Sequence, residues 1–166
     1  QSNAQRNGDS LKIYEAYRPY PVTTYSYDMF DQLRNSNAGV KRSTSISIGA
    51  NTGTEYRWDP SYFLARKLSK HNTGCAVDVT LVGKENQMPS TMHQLSVQSI
   101  KYYSQNAAHK PANYSGGMQN SQAAQTLSNY MMSGTGLTDL ASEWWHYQDD
   151  ACHATIGTGA TFWSEV

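Results

Sequence analysis

No stretch of this 166-residue chain approaches the roughly 18 to 20 consecutive apolar residues that cross a bilayer as a helix, so no transmembrane segment is expected. Surplus charge is also missing. Thirteen Lys and Arg balance thirteen Asp and Glu, and charged residues make up only 16% of the chain. A nucleic-acid binder needs a basic excess to displace counterions from phosphate, so that class is set aside. Cysteine is scarce. Cys75 and Cys152 are too few for a disulfide framework, and neither has a Cys-x-x-Cys partner that would suggest a thiolate zinc site. A single bridge between them stays open if the protein is secreted. There are no repeats and no low-complexity tracts. No signal peptide is recognisable at the start. The abrupt opening Gln1-Ser2-Asn3-Ala4 reads either as a tag remnant or as the end of a native helix, and is compatible with a domain cut from a longer protein.

What the chain does have is neutral polarity and aromatic surface. Ser, Thr, Asn, Gln and Tyr supply the polar exterior, which favours an extracellular setting, with a cytoplasmic one still open. Hydrophobic residues are 38%, and twelve Tyr and four Trp carry much of the apolar area. Such residues suit half-buried strands and substrate grooves. The length fits one domain, residues 1–166, around one core.

The pattern predicts a strand at Leu11–Tyr17, where apolar and polar residues alternate, ended by Arg18-Pro19. A short helix is expected at Tyr25–Leu33. Asn35–Asp59 reads as loop with one strand at Thr44–Ile48, and Tyr62–Leu68 as a strand or short helix. Ala76–Val82 is the strongest strand, with Gly83–Pro89 as a turn or loop after it. Helices are expected at Ser96–Asn106 and Ser121–Met132, with His109–Gly117 as a loop between them. Trp144–Gln148 is a short aromatic strand. Strands and helices do not strictly alternate. The expected fold is therefore α+β, with a small central antiparallel sheet flanked by helices.

Two segments carry chemistry. In Ser69-Lys70-His71-Asn72-Thr73-Gly74-Cys75-Ala76-Val77-Asp78, a His on a Gly-containing turn leads into a strand bearing an Asp. Imidazole and carboxylate are both good zinc ligands. A helix would put the two on one face, but Gly74 and the β-branched run argue against helix. The turn must instead fold His71 back toward Asp78, which a residue without Cβ permits. In Glu143-Trp144-Trp145-His146-Tyr147, a carboxylate precedes a second His by three. Positions three apart on a regular strand face opposite ways, so Glu143 is expected at the strand entrance, where the backbone can turn it toward the metal. His71, Asp78 and His146 would leave a fourth position on one zinc for water and lower its pKa, with Glu143 as the base. Any one of these residues alone would be unremarkable, and Trp144 and Trp145 alone would be core.

The pattern Ser-x-His-x-x-Gly-x-Ala-x-Asp, followed by Glu-x-Trp-His, resembles the D-alanyl-D-alanine metallopeptidases. The doubled Trp and the stretch Tyr14-Glu15-Ala16-Tyr17-Arg18-Pro19 look most like the VanX-type D-Ala-D-Ala dipeptidase branch. The likeness runs from about Leu11 to Asp150. It implies a fold shared with D,D-carboxypeptidases, lysostaphin-type enzymes and the hedgehog domain, with zinc in a cleft on the sheet. It implies His71, Asp78 and His146 as ligands and Glu143 as base. Arg18 matches an arginine that supports the substrate carbonyl as charge develops, the alternative being a structural salt bridge. Ser69 matches a serine that either touches substrate or fixes the turn. One departure stands out. Where the branch carries an acid that holds the free amine of the dipeptide, this chain has His93, at the end of Met88-Pro89-Ser90-Thr91-Met92-His93. His93 cannot be a permanent anion, so a longer, amide-linked substrate fits better, unless His93 is an ordinary surface residue. His109 and His153 fall in no motif and read as surface. The implied substrate is a small peptide with D-amino acids, either free D-Ala-D-Ala or a wall stem peptide. The implied setting is the cell wall. A non-catalytic binding module and a cross-bridge endopeptidase are the other readings.

Overall fold

The computed structural model describes residues 1–35, 47–48, 51–52, 63–94, 97–101 and 121–156. In chain order these hold α1 (Ser2–Gln5), β1 (Leu11–Glu15), α2 (Tyr20–Asn35), β2 (Ser47–Ile48), β3 (Asn51–Thr52), β4 (Ala76–Leu81), α3 (Gln122–Met132), β5 (Thr138–Leu140), β6 (Glu143–Gln148) and α4 (Asp150–Ile156). Short 3₁₀ turns at Lys70–Thr73, Glu85–Gln87 and Val97–Ser99 join them. The architecture is α+β, as expected.

The main sheet has the order β1-β4-β6-β5 and is antiparallel throughout. β4 lies inside it because its sequence is buried on both sides. Strand alternation sends Val77, Val79 and Leu81 one way and Asp78 and Thr80 the other. The apolar set meets α3, whose Ala123, Ala124, Leu127 and Met131 recur at helical spacing and share a core with Trp144, Trp145 and Tyr147. Leu127 is fully buried there; truncating it to Ala would cost about 2–5 kcal/mol. Ser121 starts α3 by accepting a 3.0 Å hydrogen bond from the Ala124 amide, which satisfies one of the helix's free donors.

Two irregularities in the sheet position the site. On β1, Ile13 stands opposite Val79 and Glu15 opposite Asp78, so Tyr14 is an extra residue, a bulge that brings Glu15 rather than Tyr14 level with Asp78. On β6 the slip is larger. Asp139 of β5 pairs with Tyr147, but the next residue, Leu140, pairs with Glu143. The segment Trp144–His146 is left without partners on β5, while His146 pairs with Asp78 on β4.

A disulfide joins Cys75, just before β4, to Cys152 on α4. The bridge left open by the sequence is formed. The Asp149 amide also donates to the Cys75 carbonyl at 2.8 Å, so α4 is tied to the entrance of β4 twice.

Several expectations need correction. The first strand ends at Glu15, two residues early, and as an edge strand it leaves Ile13 64% exposed. The expected helix at Tyr25–Leu33 is longer and begins at Tyr20. Pro21 lies in its first turn, where a missing N–H costs nothing. Residues 63–68 form turns and bends rather than a strand or helix, and several of them line a cleft instead of pairing. Of the helix expected at Ser96–Asn106, only residues 97–101 fall among the described residues, and of these Val97–Ser99 form a 3₁₀ turn while Ile100 and Lys101 are not helical. Of the strand expected at Thr44–Ile48, only Ser47–Ile48 fall among the described residues, and they form a strand paired with β3. The His109–Gly117 loop lies outside the described residues. β3, β5 and α4 were not anticipated. Gln1–Ala4, left open above, enters α1 and docks through Asn3, whose side-chain amide donates to the Tyr130 carbonyl at 3.0 Å.

Candidate metal centre and cleft

The turn before β4 is built to aim His71. Ser69 caps it: its hydroxyl accepts from the His71 amide at 3.3 Å, while Asn72 Oδ1 accepts from the Ser69 amide at 2.6 Å. Gly74 ends the turn at φ 71°, in the left-handed region where glycine carries no Cβ penalty. Asn72 Nδ2 then donates to the Arg18 carbonyl at 2.7 Å and to Thr23 Oγ1 at 2.9 Å, locking the turn to the start of α2. The outcome is a buried imidazole facing a buried carboxylate.

Three ligand atoms converge. His71 Nε2 lies 3.1 Å from His146 Nδ1, and Asp78 Oδ1 lies 3.2 Å from each nitrogen. Tautomers are fixed from outside the triangle. His71 Nδ1 sits 3.2 Å from the Ala16 carbonyl, which can only accept, so this nitrogen carries the proton. His146 Nε2 lies 3.1 Å from Gln148 Oε1, and Gln148 Nε2 in turn donates to Asp150 Oδ1 at 3.2 Å. Both inner nitrogens therefore present lone pairs, as does the carboxylate. Three lone-pair atoms packed this closely in a buried pocket repel one another unless a cation sits among them. The donor set of two imidazoles and one carboxylate, each oriented by a further hydrogen bond, fits zinc. Burial opposes the ionisation of Asp78, but the imidazoles of His146, His71 and His93 that face it outweigh burial and hold the carboxyl well below the usual range.

Glu143 Oε2 lies 3.8 Å from His146 Nδ1. On an unbroken strand the two would face apart; the slip in β6 removes that constraint. Trp145 Nε1 donates to the same oxygen at 3.0 Å. Burial, together with the charge of Asp78, pushes the Glu143 carboxyl up to about 8, against the pull of Arg18 and Trp145. A bound cation would draw it down again.

Arg18 follows β1 and forms a two-pronged pair with Glu15, Nε to Oε1 at 2.7 Å and Nη2 to Oε2. Its pKa is raised by that hydrogen bond. Burial opposes the ionisation of Glu15, but Arg18 prevails and keeps it lowered. His93 is at φ 57°, the left-handed region, and its Nε2 lies 2.9 Å from Asp78 Oδ2. It is more than a plain surface histidine, though its side chain is 45% exposed. His153, read as surface, is half-buried, with Nδ1 3.2 Å from Thr73 Oγ1.

All seven residues singled out in the sequence, Arg18, Ser69, His71, Asp78, His93, Glu143 and His146, line one cleft of about 620 Å³ between the sheet and α2. The same cleft is lined by Val22, Met29 and Phe30 of α2 and by Phe63, Leu64 and Leu68, which give it an apolar wall. Sequence reasoning missed Glu15, Gln148 and this wall. Glu15 was findable from its three-residue spacing to Arg18. Gln148 carries no local signal, because its role comes from lying two residues beyond His146 on the same strand. Among the described residues no helix is long and apolar enough to cross a membrane. No curated protein matches the chain. A family model described as D-ala-D-ala dipeptidase matches residues 1–156.

Proposed function

Because the chain belongs to the D-Ala-D-Ala dipeptidase family of metallopeptidases, we propose that it hydrolyses D-Ala-D-Ala peptide bonds, with one zinc held by His71, Asp78 and His146. The observation that carries this is the triangle of lone-pair atoms, no edge longer than 3.2 Å, with a buried carboxylate 3.8 Å away. Zinc, when bound, supplies a Lewis acid for the scissile carbonyl and an acidified water. Glu143 takes a proton from the attacking water at its carboxylate and passes it to the leaving amine. Arg18, held in place by Glu15, offers its guanidinium to the carbonyl oxygen as negative charge builds. Ser69 keeps His71 in place through the turn, and from the cleft wall is available to substrate.

His93 tilts the substrate toward a peptide longer than the free dipeptide. A position that hydrogen-bonds Asp78 offers no fixed anion to a free ammonium. A stem peptide, amide-linked at that residue, needs none. The Cys75–Cys152 bridge supports an extracellular or wall-facing setting, since such bonds persist in oxidising compartments. A non-catalytic module on the same fold is disfavoured because a structural zinc needs neither Glu143 nor Arg18. D-alanine release from D-Ala-D-Ala, a stem pentapeptide and cross-linked wall fragments, measured side by side with zinc-loaded protein, tests the reading. Release from the pentapeptide above the dipeptide is expected. Release from neither would overturn it, and cleavage of cross-bridges alone would favour an endopeptidase.

A further inference from the structure

Asp78 is shared between two sides. Its Oδ1 faces His71 and His146, while its Oδ2 receives His93 at 2.9 Å. A carboxylate without a proton can only accept, so His93 Nε2 is the donor. Several features hold the ring there. His93 is the third residue of a turn closed by the Gln94 amide on the Thr91 carbonyl at 3.2 Å. Its φ of 57° is unusual for a residue with a side chain, and such a conformation persists where surrounding structure enforces it. Its imidazole meets Trp145 edge-on at 5.6 Å between centroids and Tyr14, the bulged residue of β1, at 6.4 Å.

We propose that His93 is a positioning residue: its N–H holds Asp78 Oδ2, so that Oδ1 is the oxygen offered to the metal. This rests on the reading of His71, Asp78 and His146 as a zinc site. It gives His93 a task unlike that of an amine-binding acid at the same place. A carboxylate free to rotate would alternate between its two oxygens, and an acid at position 93 would repel Asp78 rather than fix it.

A rival reading makes His93 a ligand to a second cation, because Glu15, Asp78 and His93 also cluster, with ligand atoms within 4.8 Å of one another. Glu15 speaks against it. Both its oxygens are engaged by Arg18, and a guanidinium beside the cluster opposes a second positive ion. One zinc per chain is therefore expected.

The test is zinc affinity by chelator competition, with metal stoichiometry, on the wild type, H93F, H93A and H93Q. Phe keeps the aromatic contact with Trp145 but has no N–H. Gln places an amide donor where Nε2 was and is a poor zinc ligand. H93F and H93A should bind zinc about 10- to 100-fold more weakly, and H93Q should recover most of that loss. Thermal unfolding of the metal-free forms should barely differ, since the side chain is 45% exposed. Wild-type affinity in H93F would overturn the proposal while leaving the zinc site standing. So would a second equivalent of zinc in the wild type that H93Q loses. A wild type that binds no zinc would overturn both.

Discussion

Glu15 on β1 stands directly opposite Asp78 on β4, and its two carboxylate oxygens hold the guanidinium of Arg18. The arginine is thereby oriented by the same sheet row that carries Asp78, a proposed metal ligand. Substituting Arg18 by Ala should lower kcat by about 10²-fold or more, the scale of losing a fixed oxyanion partner. Glu15→Gln, which keeps one acceptor, should cost much less than that. Comparable kcat losses for the two variants would instead make the pair a structural unit. Steady-state kinetics on a stem pentapeptide checks this.

Removing the base should separate chemistry from metal binding. Glu143→Gln is expected to lose about 10²- to 10⁴-fold in kcat while still binding one zinc. Gln keeps the shape and can still accept from Trp145 Nε1. Full activity in a zinc-loaded Glu143→Gln protein would exclude Glu143 as the base.

Metal loading should stabilise the fold. A ligand that binds only the native state adds about 2.7 kcal/mol at a free concentration one hundred times its Kd. Tm should therefore climb with zinc, fall back with a chelator, and become insensitive to zinc in His146→Ala. Differential scanning calorimetry across a zinc series gives the answer.

The Cys75–Cys152 bridge spans a sequence separation of 77. Constraining the unfolded chain over that length contributes on the order of 4 kcal/mol. Replacing both cysteines by Ser should lower the urea midpoint accordingly. Zinc affinity should also weaken, because Cys75 follows the turn that aims His71. An unchanged midpoint would mean that the bridge contributes little to stability.

Lys101 is wholly buried, paired with Asp139 at 3.2 Å and set 4.1 Å above the Tyr147 ring. Burial lowers its pKa to about 8 despite Asp139. In the unfolded chain it returns to about 10.4. Between those values the unfolded state binds more protons, so stability rises with pH across this window. Below about 8 the full cost of burying the charge is present. The gain on going alkaline is up to roughly 3 kcal/mol. It should show as the difference between wild-type and K101M denaturation curves from pH 7 to 11, and a flat difference would refute it.

Much of the candidate site was legible because the zinc ligation and general-base chemistry proposed for it would demand particular side chains at short spacings. His71 and Asp78 share one turn and strand, and Glu143 and His146 share another. Local signals also placed α3, through Ser121 and its apolar spacing, and β4, through its alternation. What stayed hidden depends on partners far along the chain. The Tyr14 bulge exists only against β4, and the slip at Trp144–His146 only against β5. Residues 63–68 read as an element because their apolar pattern is real, but that pattern faces a cleft. α4 was missed since its position comes from a disulfide and the Asp149 amide rather than from an amphipathic stripe.

The slip in β6 has a consequence for anyone who would transplant this chemistry. Glu143 is pinned by pairing with Leu140 and His146 by pairing with Asp78, so the two residues between them form a segment with both ends anchored. Swapping side chains within that segment is a packing problem. Lengthening or shortening it by one residue would rotate the glutamate away while every ligand stayed in place. Under the proposed roles, a designer copying His71, Asp78, Glu143 and His146 onto a regular sheet would obtain a metal binder without a base. The backbone irregularity has to be copied first, and the side chains second.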